Sequence, residues 1–161
     1  MTPVILVVED DAPVRDALVA DLRPFLPVAT IEATETAEEA WDVVGSFARD
    51  ERLALVLADH RLPGQSGVEF LVELSGDPAG VGVRKVLVTG QADHDDTIRA
   101  VNDAHLDHYI SKPWDVDELV AVVRDLLSRW VAEEAEDVLP FLAHLDADIL
   151  LPAMRRRAGP D

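Results

Sequence analysis

The stretch Val4-Ile5-Leu6-Val7-Val8-Glu9-Asp10-Asp11 sets five apolar residues in a row, four of them β-branched, directly against three acids. A run without polar alternation has no face to offer to water, so it predicts a strand covered on both sides. Similar runs recur at 53–58 and 86–89, with weaker ones at 28–31 and 108–110. Between them, apolar side chains fall at helical spacing: Val14, Ala17, Leu18 and Leu22, then Ala37, Ala40, Trp41, Val44 and Ala48, then Val68, Leu71 and Val72. Strand and helix alternate along the chain.

Helix starts can be placed independently of that period. Thr36 with Glu39 and Ser66 with Glu69 have capping-box spacing, and Asp115 with Glu118 is an acidic version of it. Pro13 suits a first helical turn, where its missing N–H costs nothing. Turn residues stand where connections are needed, at Pro24, Pro27, Gly64, Gly67, Gly76, Pro78, Gly80 and Gly82. Five βα units result. Right-handed crossovers leave few ways to cover such strands other than a parallel sheet with helices on both faces. The expectation is an α/β, flavodoxin-like doubly wound (βα)5 fold with a five-stranded parallel sheet of order 2-1-3-4-5, an order that alternation alone permits without proving.

The fifth helix is expected to start near Asp115, and its apolar positions continue through Leu126, Leu127 and Trp130, past the length that covers a sheet. Beyond Ala135 come Leu139, Phe141, Leu142, Leu145, Ile149, Leu150 and Leu151, interrupted by Pro140 and Pro152 and closed by Arg155, Arg156 and Arg157. Residues 1–130 therefore read as the main domain. Residues 131–161 read as a helical C-terminal extension of one or two short helices that fold back on it or join a second subunit, a docking or dimerisation element in either case. The three arginines complement the negative end of a helix.

The chain of 161 residues carries 14 basic and 32 acidic side chains, a net charge of −18. Nucleic acid and anionic membrane both call for clustered positive charge, so neither is expected as a partner. With 48% apolar residues the chain buries a core, and with 5% aromatics that core is mainly aliphatic. No cysteine is present, which removes disulfides, thiol nucleophiles and Cys-based zinc sites. The first apolar run is too short for a signal peptide or a membrane span, and a cytoplasmic protein is expected.

In an open parallel sheet the functional crevice lies beyond the carboxyl ends of the strands. The residues at those ends are Glu9 and Asp10 after the first strand, Asp59 after the third, Thr89 at the end of the fourth, and Lys112 after the fifth. Three acids at close range repel one another unless a cation sits among them. Oxygen ligands without His or Cys suit Mg²⁺, and the five histidines show no metal-ligand spacing. Asp59, between those acids and Lys112, is placed to accept a phosphoryl group by in-line attack, with Thr89 hydrogen-bonding one of its oxygens. Asp11 by itself reads as a helix cap.

The combination Glu9-Asp10-Asp11, Asp59-His60-Arg61-Leu62-Pro63 followed by Gly67, Thr89-Gly90, and Tyr109-Ile110-Ser111-Lys112-Pro113 resembles the receiver (CheY-like) domain of two-component response regulators. The resemblance covers about residues 3–130. It implies Asp59 as phosphoacceptor, Glu9, Asp10, Asp59 and the Arg61 backbone carbonyl as Mg²⁺ ligands, Lys112 as the phosphoryl-contacting lysine with a cis bond to Pro113, and Thr89 with Tyr109 as the switch pair. It further implies a phosphorelay protein rather than an enzyme, supplied by a sensor histidine kinase or phosphotransfer protein and acting on a downstream protein effector through helix four, strand five and helix five. Two residues depart from the family pattern: Glu9 stands where Asp is commonest, and Arg61 is a large cation two positions after the acceptor. Nothing after residue 130 reads as a helix-turn-helix, a cyclase or a protease. The competing readings are a phosphorylation-independent, receiver-like adaptor or dimerisation module, and an aspartate-nucleophile phosphatase. The phosphatase reading is disfavoured because such enzymes usually place a second acid where Arg61 stands.

Overall fold

In the computed structural model, which describes residues 1–90 and 94–160, the opening apolar run becomes β1 (Thr2–Val8), with Val4 to Val8 wholly buried. It is followed by α1 (Ala12–Asp21), β2 (Thr30–Thr34), α2 (Ala37–Gly45), β3 (Glu51–Ala58), α3 (Gly67–Ser75), β4 (Arg84–Thr89), α4 (His94–Asp103), β5 (His108–Ser111) and α5 (Val116–Glu134). The sheet is five-stranded, parallel throughout, and ordered β2-β1-β3-β4-β5, as the sequence predicts. Side chains on alternate sides of each strand feed two cores. Ile5, Val7, Leu55, Leu57, Val86 and Val88 meet α1 and α5, whereas Leu6, Val8, Val56 and Leu87 meet α2, α3 and α4.

The caps form where the sequence puts them. Thr36, Ser66 and Asp115 accept the N–H groups of Glu39, Glu69 and Glu118 at 3.0, 3.1 and 2.9 Å. Glu39 reaches back to the N–H of Glu35 rather than to that of the cap residue. Asp11 caps α1 through Val14 N–H, with Pro13 in the first turn.

Two details differ from expectation. β2 starts at Thr30 rather than at residue 28, because Val28 and Ala29 both donate their N–H groups to the Phe25 carbonyl and are still completing a turn. Pro152 does not interrupt a helix but lies inside α6 (Ala147–Ala158). Its missing hydrogen bond is tolerated where Leu150 and Ala153, both buried, fix the helix against its neighbours.

The extension folds back. A short 3-10 turn, Leu139–Phe141, and α6 return the chain onto α5, and Ala135, Val138, Phe141, Leu145 and Leu150 join the core beneath α1 and α5. Of the three arginines in the last turn of α6, Arg157 donates to the Ala132 carbonyl at 2.7 Å and so meets an otherwise open acceptor near the end of α5. No helix among the described residues is long and apolar enough to cross a membrane.

Candidate functional site

The parallel register brings the strand ends level. Val8 pairs with Ala58 and with Thr34, and the ladder continues one step further as Glu9 N–H donates to the Thr34 carbonyl and Asp59 N–H to the Val8 carbonyl, each at 3.0 Å. Glu9 and Asp59 therefore stand side by side at the carboxyl edge, 2% and 8% exposed. Asp10 is exposed, and one carboxylate oxygen from each of Glu9, Asp10 and Asp59 lies within 4.8 Å of the others.

Lys112 arrives from the far side of the sheet. Its N–H donates to the Thr89 carbonyl at 3.4 Å, and its Nζ reaches Asp59 Oδ2 at 2.7 Å and Glu9 Oε2 at 2.8 Å. The Lys112–Pro113 peptide is cis. Thr89 is wholly buried, and Tyr109, half-buried against the second core, donates its hydroxyl to the Thr89 carbonyl at 3.1 Å. Arg61 places its backbone N–H 3.4 Å from Asp59 Oδ1 while its side chain is exposed.

Burial governs the charge state of this group and divides it unequally. Desolvation raises Glu9 to about 7, with the neighbouring Asp59 adding to the rise and Lys112 only partly offsetting it. The same desolvation acts on Asp59, but hydrogen bonds from Lys112, Thr89 and Glu9 outweigh it and hold this carboxyl below its ordinary value. Burial works against the Lys112 ammonium as well, and contact with Asp59 and Glu9 overcomes it, so its pKa is raised. The result is an ionised Asp59 paired with a charged lysine, beside a glutamate that holds or sheds a proton near neutrality. A set of carboxylate oxygens free of nitrogen and sulfur donors fits a hard, oxygen-seeking divalent cation of the Mg²⁺ type.

The residues singled out in the sequence, Glu9, Asp10, Asp59, Thr89, Tyr109 and Lys112, are thus gathered at one edge, with Arg61 beside them. Several supporting contacts have no sequence signature, because they join distant elements. Arg15 donates to the Glu9 carbonyl at 2.9 Å and lies 3.4 Å from Glu35. Trp114 donates its indole N–H to Asp21 at 2.8 Å, tying the β5–α5 connection to the end of α1. Gly67 is required by close approach: a Cβ there would lie 1.8 Å from the Asp59 carbonyl oxygen. A cavity of about 590 Å³ opens beside Asp59, with Pro13, Val14, Ala17 and Trp114 as apolar walls and Asp59, Thr89 and Lys112 in its lining.

A doubly wound parallel sheet of order β2-β1-β3-β4-β5 whose carboxyl edge carries a lysine-bridged group of acids defines a class of α/β domain. Within that class, the family model described as the response regulator receiver domain matches residues 5–124, and the chain belongs to that family. It is 30% identical to the hydrogenase transcriptional regulatory protein HoxA of Cupriavidus necator over 157 residues, 96% of this chain and 30% of HoxA. It is also 30% identical to the phosphate regulon transcriptional regulatory protein PhoB of Escherichia coli over 137 residues, 84% of this chain and 56% of PhoB. The chain thus spans about a third to a half of the length of these relatives. Among solved structures, the signal receiver domain of an HD domain-containing protein from Pseudomonas fluorescens matches with a TM-score of 0.74 and 26% identity, covering 83% of this chain and 100% of that one. A CheY-like receiver domain protein from Methanospirillum hungatei matches with a TM-score of 0.70 and 27% identity, covering 83% and 99%. The chain is the receiver domain of a response regulator, a signalling domain of two-component systems.

Proposed function

We propose that this domain is a phosphoryl-accepting switch with Asp59 as the acceptor, supplied by a sensor histidine kinase or a phosphotransfer protein. One observation carries the reading: an Asp59 carboxylate kept ionised by Lys112 at 2.7 Å, with Glu9 and Asp10 close enough to share a cation with it. An Asp59 oxygen attacks the phosphorus of a phosphohistidine in line. The P–N bond breaks, the departing imidazole nitrogen takes its electron pair and a proton from solvent, and an acyl phosphate remains on Asp59. Lys112 and the Thr89 hydroxyl bind the phosphoryl oxygens. Glu9, Asp10, Asp59 and the Arg61 carbonyl are the residues that would hold Mg²⁺, which when bound supplies charge neutralisation to the transferring group.

The output is a change in the surface of α4, β5 and α5, read by a downstream protein. Because α6 covers the outer side of the second half of α5, the surface open to a partner is α4, β5 and the first turns of α5, where Ile98, Val101 and Val116 are 43%, 50% and 47% exposed. Residues 131–161 serve as the docking element or the contact to a second copy, and the net charge of −18 argues for protein rather than nucleic acid as partner.

The deciding experiment is mass spectrometry after exposure to a small phosphodonor, with and without Mg²⁺. A phosphoryl adduct mapped to Asp59, dependent on Mg²⁺ and absent in Asp59→Asn, supports the reading; an adduct that persists in Asp59→Asn overturns it. Sizing of the chain before and after phosphorylation reports on self-association.

A further inference from the structure

Arg15, near the start of α1, reaches back over the loop that carries two of the candidate cation ligands. Its Nη1 donates to the Glu9 carbonyl at 2.9 Å, and its Nη2 lies 3.4 Å from Glu35 Oε1, just past the end of β2. The Arg15 side chain is 16% exposed and that of Glu35 62%, so the carbonyl contact is the sheltered one and the ion pair, being solvated, is worth little. The Arg15 backbone N–H donates to the Asp11 carbonyl at 2.8 Å. One residue thus grips both ends of the stretch Glu9-Asp10-Asp11.

The Glu9 carbonyl belongs to the peptide unit that leads into Asp10. That unit is planar, so holding its oxygen sets the direction in which the chain enters Asp10. From the other side, Glu9 N–H is held by the Thr34 carbonyl at 3.0 Å, and the Thr34 hydroxyl donates to the Val7 carbonyl at 3.1 Å. The Glu9 carboxylate has Lys112 to place it, whereas Asp10 is exposed and follows the course of its backbone. A guanidinium near a cation site repels the cation, so by charge alone Arg15 weakens metal binding. Its hydrogen bond acts in the opposite direction, by keeping the ligands in register.

We infer that Arg15 is a positioning residue for the cation site, holding the Glu9–Asp10 peptide so that the Asp10 carboxylate stays within reach of Glu9 and Asp59. The inference rests on the proposed Mg²⁺ site and adds to it a residue that touches neither the metal nor the phosphoryl group. Mg²⁺ demands near-octahedral coordination at short distances, and Ca²⁺ tolerates a looser arrangement. Release of the loop therefore costs Mg²⁺ more than Ca²⁺.

The test is calorimetric titration of Mg²⁺ and, separately, Ca²⁺ into the wild-type chain, Arg15→Met, Arg15→Lys and Arg49→Met. The last removes an exposed charge from the α2–β3 connection at the amino edge of the sheet. Arg15→Met is expected to bind Mg²⁺ about tenfold more weakly, the scale on which contacts supporting metal ligands act, with a smaller loss for Ca²⁺. Arg15→Lys, with one nitrogen in place of a fork, is expected to fall between it and wild type, and Arg49→Met to match wild type. In the metal-free chain, amide exchange at Glu9 is expected to be faster in both Arg15 variants and unchanged at Asp107, whose N–H is held by the Lys85 carbonyl at 2.9 Å. Unchanged or tighter Mg²⁺ binding in both Arg15 variants, equal losses for the two cations, or exchange at Glu9 that is unchanged or rises together with Asp107 overturns the positioning role while leaving the cation site intact. A wild-type chain that binds neither cation overturns the cation site, and this inference with it.

Discussion

Ser128, wholly buried on α5, accepts the N–H of Asp146, 18 residues further on, at 3.0 Å, while its own hydroxyl donates to the Arg124 carbonyl at 2.6 Å. Asp146 is the N-cap of α6, so one hydroxyl pins the start of the last helix to the middle of the helix before it. The extension thereby becomes part of the same core as the sheet. Trp130, fully buried, is the point where α5 outgrows the sheet and the returning chain takes over its burial.

Removing the hydroxyl in Ser128→Ala takes the acceptor from the part-buried Asp146 N–H, a loss of about 0.5–1.5 kcal/mol. Truncation after Glu134 is expected to do far more. Val138, Phe141, Leu145 and Leu150 are buried, each is worth about 1.5–3 kcal/mol, and a domain's net stability is about 5–15 kcal/mol in all. Urea denaturation checks both, with the truncated chain expected to unfold at low denaturant. A truncated chain as stable as the full one would show the extension to be independent of the sheet.

Gly67→Ala is expected to damage stability and site together. The added Cβ would overlap the Asp59 carbonyl oxygen at 1.8 Å and meet the carbonyl carbon at 2.7 Å, so the backbone of the β3–α3 connection has to move. Such overpacking costs about 1–3 kcal/mol or more, and the displaced carboxylate is expected to bind beryllofluoride poorly. Gly45→Ala at the end of α2 is the control: nothing lies within 4 Å of its Cβ, and the change is expected to be neutral or mildly stabilising. Thermal melts and beryllofluoride titration on the two variants distinguish a local clash from a general intolerance of alanine.

The fold was legible because its signals are local. An unbroken apolar run in β1, caps at Thr36, Ser66 and Asp115, and acids after the strands all act within a few residues of where they stand. The gathering of Glu9, Asp59 and Lys112 was legible for a related reason, since strands that all run parallel deliver their carboxyl ends to one edge. What the pattern could not show were contacts between elements far apart in sequence, such as Trp114 with Asp21 or Ser128 with Asp146, where neither partner differs in type from an ordinary surface residue. The start of β2 was misplaced because Val28 looks like a strand residue and is instead held in a turn by the Phe25 carbonyl.

His105 adopts φ 55 between α4 and β5, in the left-handed region, where the chain closes the helix end with Leu106 N–H on the Ala100 carbonyl at 3.1 Å. A side chain there carries a steric cost that glycine lacks. His105→Gly is expected to stabilise the domain by about 0.5–1 kcal/mol, a rise of about 1–4 °C in Tm for a chain of this size. Differential scanning calorimetry checks it, and a fall in Tm would mean that the histidine makes a compensating contact.

The buried Glu9 gives the site a pH dependence whose sign can be worked out. Its folded value of about 7 lies above the ordinary 4.5, so between those limits the folded chain keeps a proton that the unfolded chain has shed. Glu9 therefore weakens the fold progressively as pH rises from about 4.5 to 7, and its effect levels off above that. Asp59 acts in the opposite sense: held low, it contributes stability that is present above its ordinary 3.8 and is lost as pH falls from there through its depressed folded value. Glu9→Gln keeps the shape and removes the titration. In EDTA, the Tm advantage of Glu9→Gln over wild type is expected to be larger at pH 8 than at pH 5, and addition of Mg²⁺ at pH 8 is expected to stabilise wild type more than the variant. An advantage that does not change with pH would mean that Glu9 is ionised throughout, with Lys112 alone sufficient to hold both carboxylates.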